Sequence, residues 1–130
     1  MRASLPAVPP QLVPPGWPEQ VLPPQAPEWE RSAVGWLFDL CPADYRAHEV
    51  LRRHPVVLAR FAAGHVGSAV EAARTGIRTA RADLRGVVTP EVVEAAIAAY
   101  EREGRRLVQV TRQIALVDAA LRGERHVPRL

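Results

Sequence analysis

The side chains able to do covalent or acid–base chemistry are few, and only one group of them is compact. Cys41, Asp44 and His48 fall within the stretch CPADYRAH. A thiol placed just ahead of a helix N-terminus is held at a lowered pKa, and His48 follows Asp44 by one helical turn, within reach of a pairing carboxylate. The spacing argues against a triad, because nucleophile, base and orienting acid converge on a cleft from separate segments. A buried, inert cysteine with helix-capping neighbours is the better account, and no enzymatic activity is expected. The histidines stand at 48, 54, 65 and 126, with no i,i+4 pair and no second cysteine beside them. On one helix, His54 and His65 would be about 16 Å apart, too far to share an ion. Carboxylates are scattered as first-turn charges and surface pairs such as Glu101 with Arg105. No metal and no cofactor is expected.

Two further patterns invite a phosphate. RFAAGHVGSAVEAARTG, residues 60–76, carries Gly64, His65, Gly67 and Ser68. A phosphate-cradling loop needs a strand before it, a glycine-rich turn and a helix starting after it, and none of these is present. The stretch is instead a helix thinned for close packing, with Gly64 and Gly67 admitting Trp36, Leu37 and Phe38 at about 1 kcal/mol per helical glycine relative to alanine. The second pattern is Arg74, Arg78, Arg81 and Arg85, which form one helical stripe, with Arg102, Arg105 and Arg106 of a partner helix within reach. Such a stripe can follow a phosphate backbone. Interleaved acids, the dipole preference for arginine near a helix C-terminus and the lack of exposed aromatics for base stacking favour a solvated face or one that meets an acidic protein.

The elements that must position these residues are helices. Nine of the thirteen prolines lie between Pro6 and Pro27. Paired prolines fix φ and remove donors, so residues 1–27 are expected to form an extended, polyproline-II-like arm. It is either a ligand for an aromatic groove or a tail pinned by Trp17, Val21 and Leu22. A helical domain is expected over 28–130. Its first helix covers about 28–40, starting at Pro27 with Glu28 and Glu30 in the first turn and Trp29, Ala33, Trp36, Leu37 and Leu40 on one face. A second covers 43–54, between Pro42 and Pro55.

From Val56 onward, alternate steps of three and four give Val56, Ala59, Ala63, Val66, Val70, Ala73, Ile77, Ala80 and Leu84, all apolar. Thr89 as N-cap and Pro90 at the first helical position start a matching series through Val93, Ala96, Tyr100, Glu103, Leu107, Val110, Ile114, Val117 and Leu121, which Gly123 ends. Two long helices, about 56–84 and 90–122, must then fold back at Gly86 as an antiparallel, coiled-coil-like αα-hairpin. That register sets large against small: Ala80 with Val93, Ala73 with Tyr100, Ala59 with Ile114. Glu103 falls opposite Val70 and is expected to tilt out toward an arginine such as Arg74, since an unpaired buried charge costs several kcal/mol. The expected fold class is therefore all-α: proline-rich arm, two short helices, long hairpin.

The bulk composition agrees. Of 130 residues, 48% are hydrophobic but only 5% aromatic, so aliphatic residues and alanine must fill the core. A chain of this length makes one domain. The net charge is +3 and all seventeen basic residues are arginine; residues 51–130 hold fourteen of them against eight acids. A lone cysteine excludes an internal disulfide and suits a reducing cytoplasm. Prolines interrupt the N-terminal apolar stretch, so no signal peptide is expected, and no apolar run approaches the roughly 18 residues of a membrane span. Val92, Ile97 and Val108 lie off the seam and would be half wet in a two-helix layer. They predict self-association or docking to another protein's helix. The functional expectation is a non-enzymatic interaction module, adaptor or regulatory subunit. Nucleic-acid binding through the arginine stripe is the alternative, separated from it by salt-dependent retention on DNA or RNA.

Overall fold

The computed structural model describes residues 8, 9 and 12–128. Among them are four α-helices, α1 (Trp29–Asp39), α2 (Glu49–Arg53), α3 (Pro55–Leu84) and α4 (Pro90–Leu121), and a 3₁₀ helix over Ala43–Ala47. No strand occurs among the described residues, and α3 and α4 form a helical hairpin. The described residues divide into two compact units, one within 8–63 together with 112–128 and the other 64–111.

In the first unit the proline-rich segment differs from the extended arm expected of it. Residues 12–28 form successive tight turns; the rest of that arm, 1–7 with 10 and 11, lies outside the described residues. The Trp17 N–H donates to Pro14 O (3.1 Å), Ala26 N–H to Pro23 O (3.0 Å) and Trp29 N–H to Ala26 O (3.1 Å). In each turn a proline, Pro15, Pro24 or Pro27, takes the second position. A residue of positive φ takes the third: Gly16 at 84°, Gln25 at 72°, Glu28 at 65°. That is the type II pattern, in which proline presets the second φ. The prolines punctuate this segment where a uniform polyproline helix was expected. Trp17 pins it: its Nε1–H reaches Val21 O (3.1 Å) and Leu22 O (3.2 Å), and its ring lies 6.1 Å from that of Trp29. Ser32 adds a second tie, accepting from Leu22 N–H (2.9 Å) while its hydroxyl donates to Trp29 O (2.7 Å). Val21 and Pro18 are buried; Leu22 is exposed.

The core of this unit is drawn from Ala33, Trp36, Leu37 and Phe38 on α1, Leu51 on α2, Leu58, Ala59 and Ala62 at the start of α3, and Ile114 and Val117 near the end of α4. Ala62, not Ala63, faces inward there. The helix expected over 43–54 is interrupted. His48 adopts an extended conformation (φ −83°, ψ 108°) between the 3₁₀ turn and α2. The break lets Leu51 be fully buried while Tyr45 packs edge-on against Phe61, ring centroids 6.0 Å apart. At the far end Gly123, at φ 87°, closes α4. Its N–H reaches Ala120 O and that of Glu124 reaches Ala119 O, both at 3.0 Å, the Schellman arrangement that satisfies last-turn carbonyls.

The second unit is the hairpin's distal part. Val66, Val70, Ala73 and Ala80 of α3 are buried, as are Val93, Ile97, Leu107 and Val110 of α4. Ala80, Val93 and Ile97 form one cluster, with Ile77 and Leu84 packed against it. Fully burying each valine, leucine or isoleucine side chain is worth about 1.5–3 kcal/mol. The register differs from the Ala73–Tyr100 pairing read from the sequence. A Cβ on Gly76 would overlap the Tyr100 ring, while one on Gly104 would stand 3.7 Å from the Ala73 Cβ. The aromatic ring thus occupies the space left by a glycine, and a second glycine faces Ala73. Gly64 and Gly67, read as packing glycines, would meet nothing within 4 Å; the close approach is at Gly76 and Gly104 instead. Glu103 turns outward, as expected, but to Arg106 of its own helix (2.7 and 3.1 Å) and not to Arg74, which pairs with Glu71 at 2.6 Å. A partner three residues along the same helix is already in place and orders fewer groups than one across the seam.

Candidate interaction surface at the hairpin tip

The turn between α3 and α4 is built by backbone. Leu84 O accepts from Val87 N–H (3.0 Å) and Val88 N–H (3.3 Å), and Gly86, at φ 75°, supplies the left-handed residue that reverses the chain. Thr89 then starts α4: its carbonyl accepts from Val93 N–H (3.1 Å), its hydroxyl from Val92 N–H (3.4 Å), and Pro90 takes the first helical position. With its backbone groups so engaged, the tip exposes apolar side chains. Val87 is 74% exposed, Val92 49% and Val88 37%. Beside them an open groove of about 360 Å³ is lined by Arg81, Arg85, Val88, Pro90, Val93 and Glu94. Arg81 joins the two helices there, its Nε and Nη2 donating to the two Glu94 carboxylate oxygens at 3.1 and 3.0 Å.

Of the apolar residues singled out from the sequence, Val92 lies on this surface. Ile97 does not: it is 4% exposed and belongs to the hairpin's own core, because the interhelical face at this level runs through Val93 and Ile97. Val108 is half-buried, away from the tip on α4. Periodicity missed Val87 and Val88, which sit in the turn and so belong to no helical face. Their signal was composition: two adjacent β-branched apolar residues in a five-residue connection.

The seven arginines of the stripe are all exposed, but several are engaged. Arg74 pairs with Glu71, Arg81 with Glu94 and Arg106 with Glu103, and Arg78 donates to Thr75 Oγ1 at 3.2 Å. The Arg85, Arg102 and Arg105 side chains have no ion-pair or hydrogen-bond partner among the described residues. The Arg106 guanidinium holds the Glu103 carboxyl below the usual glutamate range, mainly through their hydrogen bonds. Exposed aromatic surface does exist, contrary to the sequence expectation: Phe61 is 43% and Tyr100 40% exposed.

Cys41 is half-buried ahead of the 3₁₀ turn that holds Asp44, and His48 ends that turn. Burial pushes the Cys41 thiol up, against the smaller opposing effect of the Arg46 charge, the reverse of activation. The helix after Cys41 is a 3₁₀ turn, no hydrogen bond joins Asp44 to His48, and the His48 ring lies edge-on to Tyr45, 6.4 Å between centroids. Arg46 bonds Asp39 at 2.8 Å and sits 5.4 Å over the Phe38 ring. No three His, Cys, Asp or Glu side chains gather into a metal-binding group among the described residues, and no helix there is long and apolar enough to cross a membrane. Comparison of the chain with protein-family models, with curated proteins and with solved structures finds no significant match.

Proposed function

We propose that this protein is a non-enzymatic interaction module, an adaptor or regulatory subunit, whose coiled-coil-like hairpin offers its tip, residues 84–92, to a protein partner in the cytoplasm. The observation that carries this reading is the group Val87, Val88 and Val92, left exposed beside a groove with apolar and charged walls. Apolar side chains gathered at one end of a pair of helices mark a contact surface. A central apolar anchor inside a polar rim is the usual anatomy of such a contact. The lone Cys41 favours a reducing compartment. The arginine stripe supports a phosphate-binding role less well, since Arg74, Arg81 and Arg106 already neutralise carboxylates, and each would have to leave its partner.

Affinity capture from cells that express the protein tests the proposal. Val87→Asp with Val92→Asp is expected to lose the proteins that the unaltered chain retains, with far-UV circular dichroism unchanged because both positions are exposed. Retention of the same proteins by the double variant would overturn it. Nucleic acid recovered in a salt-dependent manner, and lost on neutralising Arg74, Arg78 and Arg81, would replace it with the alternative.

A further inference from the structure

We infer that the partner at the hairpin tip is a second copy of this chain, docked tip to tip about a two-fold axis close to Val88. This rests on the tip being an interaction surface and adds the occupant. In an isologous contact each residue of a pair is used twice, so the patch must be complementary to itself. The tip meets that requirement in charge. Arg85 precedes Val88 by three positions and Glu91 follows it by three. Neither has an ion-pair partner among the described residues, whereas Arg81 and Glu94, one turn further from the tip, neutralise each other. A two-fold axis through the tip can set the unpaired Arg85 of one copy against the unpaired Glu91 of the other, twice.

The apolar features match in the same sense. Val87 projects from the turn at 74% exposure, and the adjacent groove of about 360 Å³ has Val88, Pro90 and Val93 in its wall. Each copy thus offers both an exposed valine and an open apolar groove for one. A polyanionic partner fits less well, because Asp83 and Glu91 stand unpaired beside Arg85 and remove any positive surplus. A tip contact involves fewer than the roughly 20–30 residues a side of a standard interface. The expected association is accordingly weak, with Kd on the order of 10–100 µM.

Sedimentation velocity on the purified full chain, from about 1 to about 500 µM, reads this directly. A reversible monomer–dimer equilibrium is expected. Arg85→Glu places like charges together at both sites, as does Glu91→Arg, and each is expected to weaken association on the order of tenfold. The double variant Arg85→Glu with Glu91→Arg restores the pairing with signs exchanged and returns Kd to within about threefold. Should a charge reversal disturb folding, Arg85→Gln and Glu91→Gln read the loss of attraction alone. A chain monomeric throughout the range overturns the inference. So does a dimer indifferent to the single variants, or one that the double variant fails to restore. If the purified chain is monomeric while Val87→Asp still loses a captured protein, the interaction module stands and only the second copy falls.

Discussion

Replacing Gly76 by alanine tests the interhelical register at a single atom. In an open helix interior the change stabilises by about 0.5–1 kcal/mol, because glycine has more backbone freedom to lose. At Gly76 the added Cβ would come too close to the Tyr100 ring, against Cδ1, Cε1 and Cζ. The ring must shift. A fully buried tyrosine covers about 150–250 Å², and Tyr100 is 40% exposed, so roughly 100–150 Å² is covered, worth about 2.5–4 kcal/mol if all were lost. Losing about half of it on displacement costs about 1.5–2 kcal/mol, more than the helix gain. Gly76→Ala should therefore destabilise by about 0.5–1.5 kcal/mol. In a Tyr100→Ala background, with no ring to displace, the same change should stabilise by about 0.5–1 kcal/mol. Urea unfolding followed by far-UV circular dichroism on the four proteins of this cycle gives both signs. A Gly76→Ala effect of the same sign and size in both backgrounds would show that Tyr100 does not sit on this glycine.

Three other outcomes follow from the same geometry. Gly64→Ala and Gly67→Ala, where a Cβ meets nothing within 4 Å, should each raise stability by about 0.5–1 kcal/mol, and a loss at either would show a neighbour pressed against it. The Glu103 carboxyl, lowered by Arg106, contributes stability that is present above the ordinary glutamate range, near 4.3, and lost as pH falls through the lowered value. Carbon-detected NMR titration should return Glu103 toward the ordinary range in Arg106→Gln, and an unmoved titration would sever the pair. Cys41, with its thiol raised by burial, should react with iodoacetamide at neutral pH more slowly than an unstructured peptide cysteine, accelerating in alkali; faster reaction would reveal an activated thiolate.

The hairpin was legible in the sequence because its signals are local and repeated. Val66, Val70, Ala73 and Ala80 are buried as the three–four stepping requires, and Thr89-Pro90, Gly86 and Gly123 act at their expected ends. Departures arose where a non-local fit chose between equivalent local options. Periodicity cannot distinguish a glycine that holds a ring, Gly76, from those in open space, Gly64 and Gly67. The proline pairs fix φ at the second position of a turn, but the reversal depends on the next residue, and positive φ at Gln25 and Glu28 carries no strong residue-type signal. His48 breaks its helix while Leu51 is buried and Tyr45 meets Phe61. At the tip, Val92 was visible on a helical face, Ile97 belonged to the inner one, and Val87 and Val88 were overlooked because a turn has no face to be apolar on.

Site-specific photocrosslinking addresses the central claim, contact through the tip, most directly. A benzophenone side chain would replace Val87 in one protein, exposed Ala72 of α3 in a second and exposed Ala95 of α4 in a third, each irradiated in cells that express it. Crosslinked species from position 87, absent or faint from 72 and 95, are expected. Equal yields from all three positions, or products from the helix flanks and none from the tip, would contradict it.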